Sequence, residues 1–194
     1  SGPQMYVHDD IKSVIPFIEK SHKADKPFFI NLWIHEPHTP FHVDPKLQKR
    51  FAKLGEKDAI YAATLFHADL RIGQLLDALD RLNLAKDTLV IFSSDNGPAR
   101  GAPDAPLTLG YDSATGLGYG IAAAKGITGG RKGYKAALFE GGVGVPFIAR
   151  WPGKITAGKI DKTSIFSAVD LLPTFCEIAG VKLPSTYRPD GISQ

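Results

Sequence analysis

Three short apolar runs, each halted by a polar or proline-bearing break, constrain this chain more than any other feature. They are Phe28-Phe29-Ile30-Asn31-Leu32-Trp33-Ile34, Thr88-Leu89-Val90-Ile91-Phe92 and Pro146-Phe147-Ile148-Ala149-Arg150-Trp151. Runs this short, with β-branched and aromatic residues and abrupt stops, read as buried strands. Between the first two, Leu65, Ala68, Ile72, Leu75, Leu79 and Leu82 recur at steps of three and four, which predicts a long helix over 58–83. Ile11, Val14, Ile15 and Ile18 predict a helix over 9–20, with Asp9 and Asp10 in its first turn. A last amphipathic helix is expected over 167–179, stopped by Gly180, with Pro173 marking a kink or an early first turn. Helices alternating with short buried strands imply α/β layering around a mainly parallel sheet. Ligands in such sheets bind beyond the carboxyl ends of the strands. Residues 98–133 are rich in Gly, Ala and Pro with little periodicity, the signature of a long functional loop.

Composition narrows the class of function. Hydrophobic residues are 43% and charged residues 22% of 194, ordinary globular values. A formal charge of +3 with no basic run gives no case for a nucleic-acid partner. The apolar stretches fall far short of the ~20 residues that span a bilayer. The single cysteine, Cys176, rules out an internal disulfide framework and sits in an apolar setting, where it serves as a small hydrophobe. The chain opens without Met and closes on Pro189-Asp190-Gly191-Ile192-Ser193-Gln194, so both termini are expected to be cut.

Chemistry concentrates in three places. His35-Glu36-Pro37-His38-Thr39-Pro40-Phe41-His42 follows the first strand; its prolines exclude the helical two-histidine zinc motif and leave a loop presenting imidazoles. Such imidazoles would bind an anion or protonate a leaving oxygen; equally, a polar exit loop uses them to satisfy backbone groups. Asp95-Asn96-Gly97 follows the second strand and offers hard oxygen donors for calcium or magnesium, although Asn-Gly is also a common tight turn. Gly129-Gly130-Arg131-Lys132-Gly133-Tyr134-Lys135, running on to Phe139-Glu140-Gly141-Gly142, combines cations with glycines that admit a close approach to a ligand. It is not a Walker A loop, because Arg131 stands where a glycine is required before Lys132.

Taken in order, these blocks, together with Val145-Pro146-Phe147, Trp151-Pro152-Gly153, Val169-Asp170-Leu171-Leu172-Pro173-Thr174 and Asp190-Gly191, resemble the type I sulfatases of the alkaline-phosphatase-like superfamily. The resemblance spans nearly the whole chain. It implies an α/β alkaline-phosphatase-like sandwich, a mainly parallel central sheet flanked by helices, of which 1–194 is the middle and rear portion of the catalytic domain. It also implies hydrolysis of sulfate monoesters, plausibly of carbohydrates. By that resemblance Asp95 and Asn96 ligate a divalent cation, usually calcium with magnesium as the alternative. Lys135 contacts sulfate, and His38 contacts it and assists the leaving oxygen. His35 is a lesser substrate-binding candidate, and Lys132 and Arg131 belong to the anion's outer shell. Family habit places such enzymes outside the cell or in the lysosome.

The departures matter as much. The family's nucleophile is a formylglycine made within a Cys/Ser-x-Pro-x-Arg motif, and no such motif occurs in these 194 residues. Ser1-Gly2-Pro3-Gln4-Met5 has Met in place of the arginine, Asp9-Asp10 opens a helix instead of ending a strand, and Gly144 stands where many relatives carry arginine. The chain taken alone is therefore expected to be inactive. The competing readings are a phosphate or phosphonate monoester hydrolase of the same superfamily, a non-catalytic module binding sulfated glycans, and, remotely, a zinc hydrolase built on His35, His38 and His42.

Overall fold

The structure, a computed structural model, describes residues 6–112 and 116–194. The motif-like stretch at 1–5 lies outside the described residues. The chain forms two compact units, Ser1–Ile155 and Thr156–Gln194.

In the first unit, helix α1 (Tyr6–Lys23) buries Ile11 and Ile18 and half-buries Val14 and Ile15, the face that the helical spacing marks. A short helix α2 (Pro45–Arg50) is capped by the Asp44 carboxylate, which accepts from the Lys46 N–H at 2.8 Å. Helix α3 (Glu56–Arg81) is the spine of the unit. Its buried face begins earlier than the leucine spacing suggests, with Ala59, Ile60, Ala63, Thr64, His67 and Ala68 inside and Leu65 43% exposed. Small side chains at those positions let neighbouring elements approach the helix closely, and the Thr64 hydroxyl is satisfied by the Ile60 carbonyl at 2.9 Å. Arg81 ties the end of α3 to Glu19 of α1 through a 2.7 Å ion pair.

Against α3 lies a small sheet. Strand β1 (Phe41–His42) pairs antiparallel with β4 (Gly116–Tyr119), and β4 with β3 (Thr108–Asp112). Phe41, Val43, Ile60, Ala63 and Ala123 form the buried cluster between helix and sheet, with Tyr61, Leu107 and Tyr119 packed around it. Phe41 is 2% exposed and follows the histidine loop directly, so the loop leaves from an anchored residue. The β3–β4 hairpin falls in the stretch expected to be irregular; its glycines had masked the period-2 pattern.

A second ladder joins β2 (Val90–Ser93) to β5 (Phe147–Arg150). It is antiparallel, with Val90 opposite Arg150 and Ser93 opposite Phe147. The mainly parallel expectation is thus corrected for the ladders among the described residues. Parallel neighbours need a crossover, usually a full helix. Between β2 and β5 the chain instead doubles back through the hairpin and a four-residue helix α4 (Glu140–Val143). The expected strand at 28–34 joins no ladder among the described residues. Its exposure nevertheless alternates, with Phe28, Ile30, Leu32 and Ile34 half-buried and Phe29, Asn31 and Trp33 exposed, the period of a pleated strand packed on one face.

In the second unit the chain passes from a 3-10 turn (Ala168–Asp170) into α5 (Leu171–Ile178). Ser167 and Asp170 cap the 3-10 turn reciprocally, and Pro173 sits in the first turn of α5, where no helical N–H is lost. Gly180, at φ 65°, ends the helix. No described helix is long and apolar enough to cross a membrane.

Candidate active site

The antiparallel pairing of β2 and β5 decides where the polar loops meet. Because Ser93 faces Phe147, the end of β2 lies beside the start of β5, and the Ser93 hydroxyl donates to the Pro146 carbonyl at 3.0 Å. The chain leaving β2 makes the Asp95–Gly97 turn; the chain entering β5 has just made α4. Gly97 N–H donates to the Gly142 carbonyl at 2.8 Å, and Lys135 N–H to the Pro98 carbonyl at 2.9 Å. Two backbone bonds therefore fasten the acidic turn to the lysine segment.

Glycine makes this contact possible. A Cβ at Gly97 would fall on the Gly141 carbonyl oxygen, one at Gly141 on the Gly133 carbonyl oxygen, and one at Gly142 on that of Ala137. These glycines admit neighbouring backbone instead of the ligand expected from the sequence. The turn Tyr134–Ala137 closes through the Ala137 N–H and Tyr134 carbonyl at 2.9 Å, with Ala136 at φ 70°. That left-handed conformation disfavours a side chain with a Cβ, so the turn carries strain beside Lys135.

Lys135 reaches the histidine loop. Its Nζ lies 3.0 Å from His38 Nε2, and His38 Nδ1 lies 2.6 Å from the Thr39 carbonyl oxygen. A carbonyl only accepts, so Nδ1 carries the ring proton, and Nε2 accepts from the ammonium. Both side chains are exposed. His35 stands edge-on to His38, ring centroids 5.6 Å apart. Burial first, then the nearby His38 and His42, hold the His35 imidazole below its ordinary value, while Asp10 acts in the opposite sense.

The remaining candidates sit differently. The Lys132 ammonium lies 4.0 Å from the centre of the Phe139 ring, a cation–π contact at the rim. Arg131 shares a turn with Thr128, whose hydroxyl donates to the Arg131 carbonyl at 2.8 Å. Asp95 is exposed, and the Asn96 Nδ2 donates to the Gly97 carbonyl at 2.8 Å. That bond leaves the Asn96 Oδ1 and the Asp95 carboxylate as hard oxygen donors on one turn. They fit calcium or magnesium in kind, but a calcium shell takes about six to eight oxygens, so the turn supplies part of one. Among the described residues no three His, Cys, Asp or Glu side chains gather as a metal site. The Thr39 carbonyl and Gly97, Gly141 and Gly142 position the site, and sequence reasoning assigned them no such part. The Glu-Gly-Gly block was the available signal.

Comparison with known proteins bears on the family and the fold. A family model described as Sulfatase matches residues 3–181. A protein named Sulfatase from Formosa agariphila is 33% identical over 187 residues, covering 89% of this chain and 30% of its own length. The N-acetylgalactosamine-6-sulfatase of Rattus norvegicus is 29% identical over 188 residues, covering 94% of this chain and 30% of its own. The crystal structure of Ps i-CgsB in complex with k-i-k-neocarrahexaose matches with a TM-score of 0.76 at 28% identity, over 96% of this chain and 36% of that one. The chain spans about 30% of the length of these sequence relatives.

Proposed function

This chain belongs to the sulfatase family, and we propose that it is part of a sulfuric ester hydrolase that cleaves sulfate monoesters of carbohydrates. The observation that carries the proposal is the 3.0 Å meeting of Lys135 Nζ with His38 Nε2 beside the clamped Asp95–Gly97 turn. A sulfate ester spreads negative charge over its oxygens, and S–O cleavage loads more onto the leaving oxygen. An ammonium and an imidazole that already share one opening answer those two needs.

In this reading Lys135 moves from His38 to a sulfate oxygen when substrate arrives. That shift frees Nε2 to carry a proton, while the Thr39 carbonyl keeps Nδ1–H in place and the ring correctly turned. His38 then delivers the Nε2 proton to the departing sugar oxygen. His35 braces the ring of His38 and borders the substrate, and Lys132 and Arg131 supply positive charge at the rim. Asp95 and Asn96 would hold a divalent cation, calcium or magnesium, which when bound neutralises sulfate charge. The attacking group lies outside these residues, since they contain no Cys/Ser-x-Pro-x-Arg motif. The named activities of the relatives and the saccharide in the matched complex support a carbohydrate substrate. An exported or lysosomal location goes with that substrate.

The test is sulfate release by the protein that carries this chain. Lys135→Ala and His38→Ala should each lower kcat/KM on 4-nitrophenyl sulfate by about 10²–10³-fold with the circular dichroism unchanged. Full activity in either variant sinks the assignment, as does turnover by the 194 residues alone.

A further inference from the structure

The His38–Lys135 meeting joins segments 97 positions apart, and one side chain of α3 lies against the root of both. The histidine loop runs into Phe41, which is 2% exposed. The ring of Tyr61 stands edge-on to that of Phe41, centroids 5.8 Å apart and planes at 79°. Edge-to-face pairs are directional, so the contact restricts where Phe41, and with it the end of the loop, can sit. The hydroxyl end of the same tyrosine faces the lysine segment. A Cβ at Gly126 would lie 3.4 Å from the Tyr61 hydroxyl oxygen and 2.4 Å from Pro98 Cβ. The hydroxyl and the Pro98 ring therefore crowd the same bare backbone. The Pro98 carbonyl, in turn, accepts the Lys135 N–H at 2.9 Å.

The chain between Pro98 and Gly126 is pinned to the same stretch of α3. Lys57 Nζ donates to the Pro103 carbonyl at 2.7 Å, and Lys125 pairs with Asp58 at 2.7 Å. Such exposed polar ties are weak alone, but between them Ala123 is fully buried in the cluster of Ile60 and Ala63. Asp58 and Tyr61, three residues apart, share one face of the helix. Burial pushes the Tyr61 phenol up, which keeps its hydroxyl uncharged at neutral pH.

We infer that Tyr61 is a positioning residue of the active site, bracing the histidine loop through Phe41 and the lysine segment through Gly126 and Pro98. Resting on the sulfatase reading above, the inference adds a residue that touches neither reacting group. Tyr61 acts by holding two distant loops at one spacing, so that His38 and Lys135 face the same anion. Reaction geometry of this kind is exacting: a misplacement of about 1 Å can cost about 10²-fold in rate.

The experiment measures kcat and KM for 4-nitrophenyl sulfate in the protein that carries this chain. Tyr61→Leu removes the ring pair and the hydroxyl but keeps an apolar side chain. Gly126→Ala drives a methyl into Pro98 and leaves the aromatic pair in place. Each should lower kcat by about tenfold or more and change KM by less than about threefold. Phe66→Leu is the control, since it removes the edge-on pair with Phe51 at 5.6 Å from the same helix. It should lower the melting temperature comparably and leave kcat within about twofold of wild type. In a Lys135→Ala background the loss from Tyr61→Leu or Gly126→Ala should shrink to about threefold or less, because the pair to be aligned is gone. An undiminished loss in that background overturns the brace, as does wild-type kcat in Gly126→Ala or an equal kcat loss in Phe66→Leu. If Tyr61→Leu fails to fold, Gly126→Ala decides by the same two readouts. A wild type that releases no sulfate refutes the sulfatase reading itself, and the brace falls with it.

Discussion

Substituting Gly97 by alanine tests whether backbone contact really fastens the acidic turn to the lysine segment. The added methyl would fall on the Gly141 carbonyl oxygen and lie 3.0 Å from Gly142 Cα. Both neighbours are main chain and have no rotamer to escape into. The turn must withdraw, which breaks the 2.8 Å bond from Gly97 N–H to the Gly142 carbonyl. Losing that bond costs about 1 kcal/mol, and overpacking a tight contact about 1–3 kcal/mol more. At about 2–4 °C per kcal/mol in a folding unit of this size, the melting temperature should drop by about 4–16 °C. A displacement near 1 Å at the site should also cost about 10²-fold in turnover. Gly73→Ala is the matched control, because its Cβ would meet nothing within 4 Å inside α3. It should raise stability by about 0.5–1 kcal/mol through helix propensity. The assay is a thermal melt followed by circular dichroism, alongside sulfate release. If Gly97→Ala melts with wild type and keeps its activity, the close packing inferred at this junction is wrong.

Two further outcomes concern acid. Because the folded chain holds His35 below its ordinary value, the unfolded chain takes up that proton first as pH falls through about 6.5. The stability His35 contributes is full above that pH and declines below it, so a urea midpoint should fall from pH 7.5 to 5.5, and less steeply in His35→Gln. Parallel profiles in the two proteins would remove His35 as the cause. Asp170 works at lower pH: the N–H groups of Ile192 (2.9 Å) and Ser167 (3.0 Å), with Gln194 Nε2 at 3.3 Å, hold its carboxyl below the usual carboxylate range. Its contribution is present above about 3.9 and lost as pH falls below that value. Asp170→Ala should speed amide exchange at Ser167 and Ile192 by about tenfold at neutral pH, and unchanged rates would refute the role.

What the sequence discloses depends on how local its cause is. The helices at α1, α3 and α5 are legible because a 3.6-residue period and caps such as Ser167 act within a few residues. The strands at 90–93 and 147–150 are legible as apolar runs, but their direction is not: antiparallel pairing follows from the path the intervening chain takes. On α3 the periodic stripe finds Ala68 and Leu79 of the buried face, but it includes the exposed Leu65 and misses Ala59, Ile60, Ala63, Thr64 and His67, because apolar periodicity underrates small and polar side chains. The hairpin at 108–119 hides behind glycines that remove the alternating pattern a strand normally writes. At the site, His38, Lys135 and Asp95 could be nominated by motif order. The Gly97–Gly142 junction and the cation–π seat of Lys132 depend on contacts across distant segments, which no window of sequence contains.

One contact has implications for how this molecule is made. The imidazole and ammonium that meet at 3.0 Å are separated by 97 positions along the chain. Joining such ends removes loop entropy that only a finished fold repays, since the cost rises with the logarithm of the intervening length. Helix α3 is held by bonds within a few residues, whereas the junction closes a loop that contains α3 itself, the strand β2 and the hairpin. If the proposed anion site is right, a probe that binds there would report the closing of this 97-position loop, not the formation of any single helix.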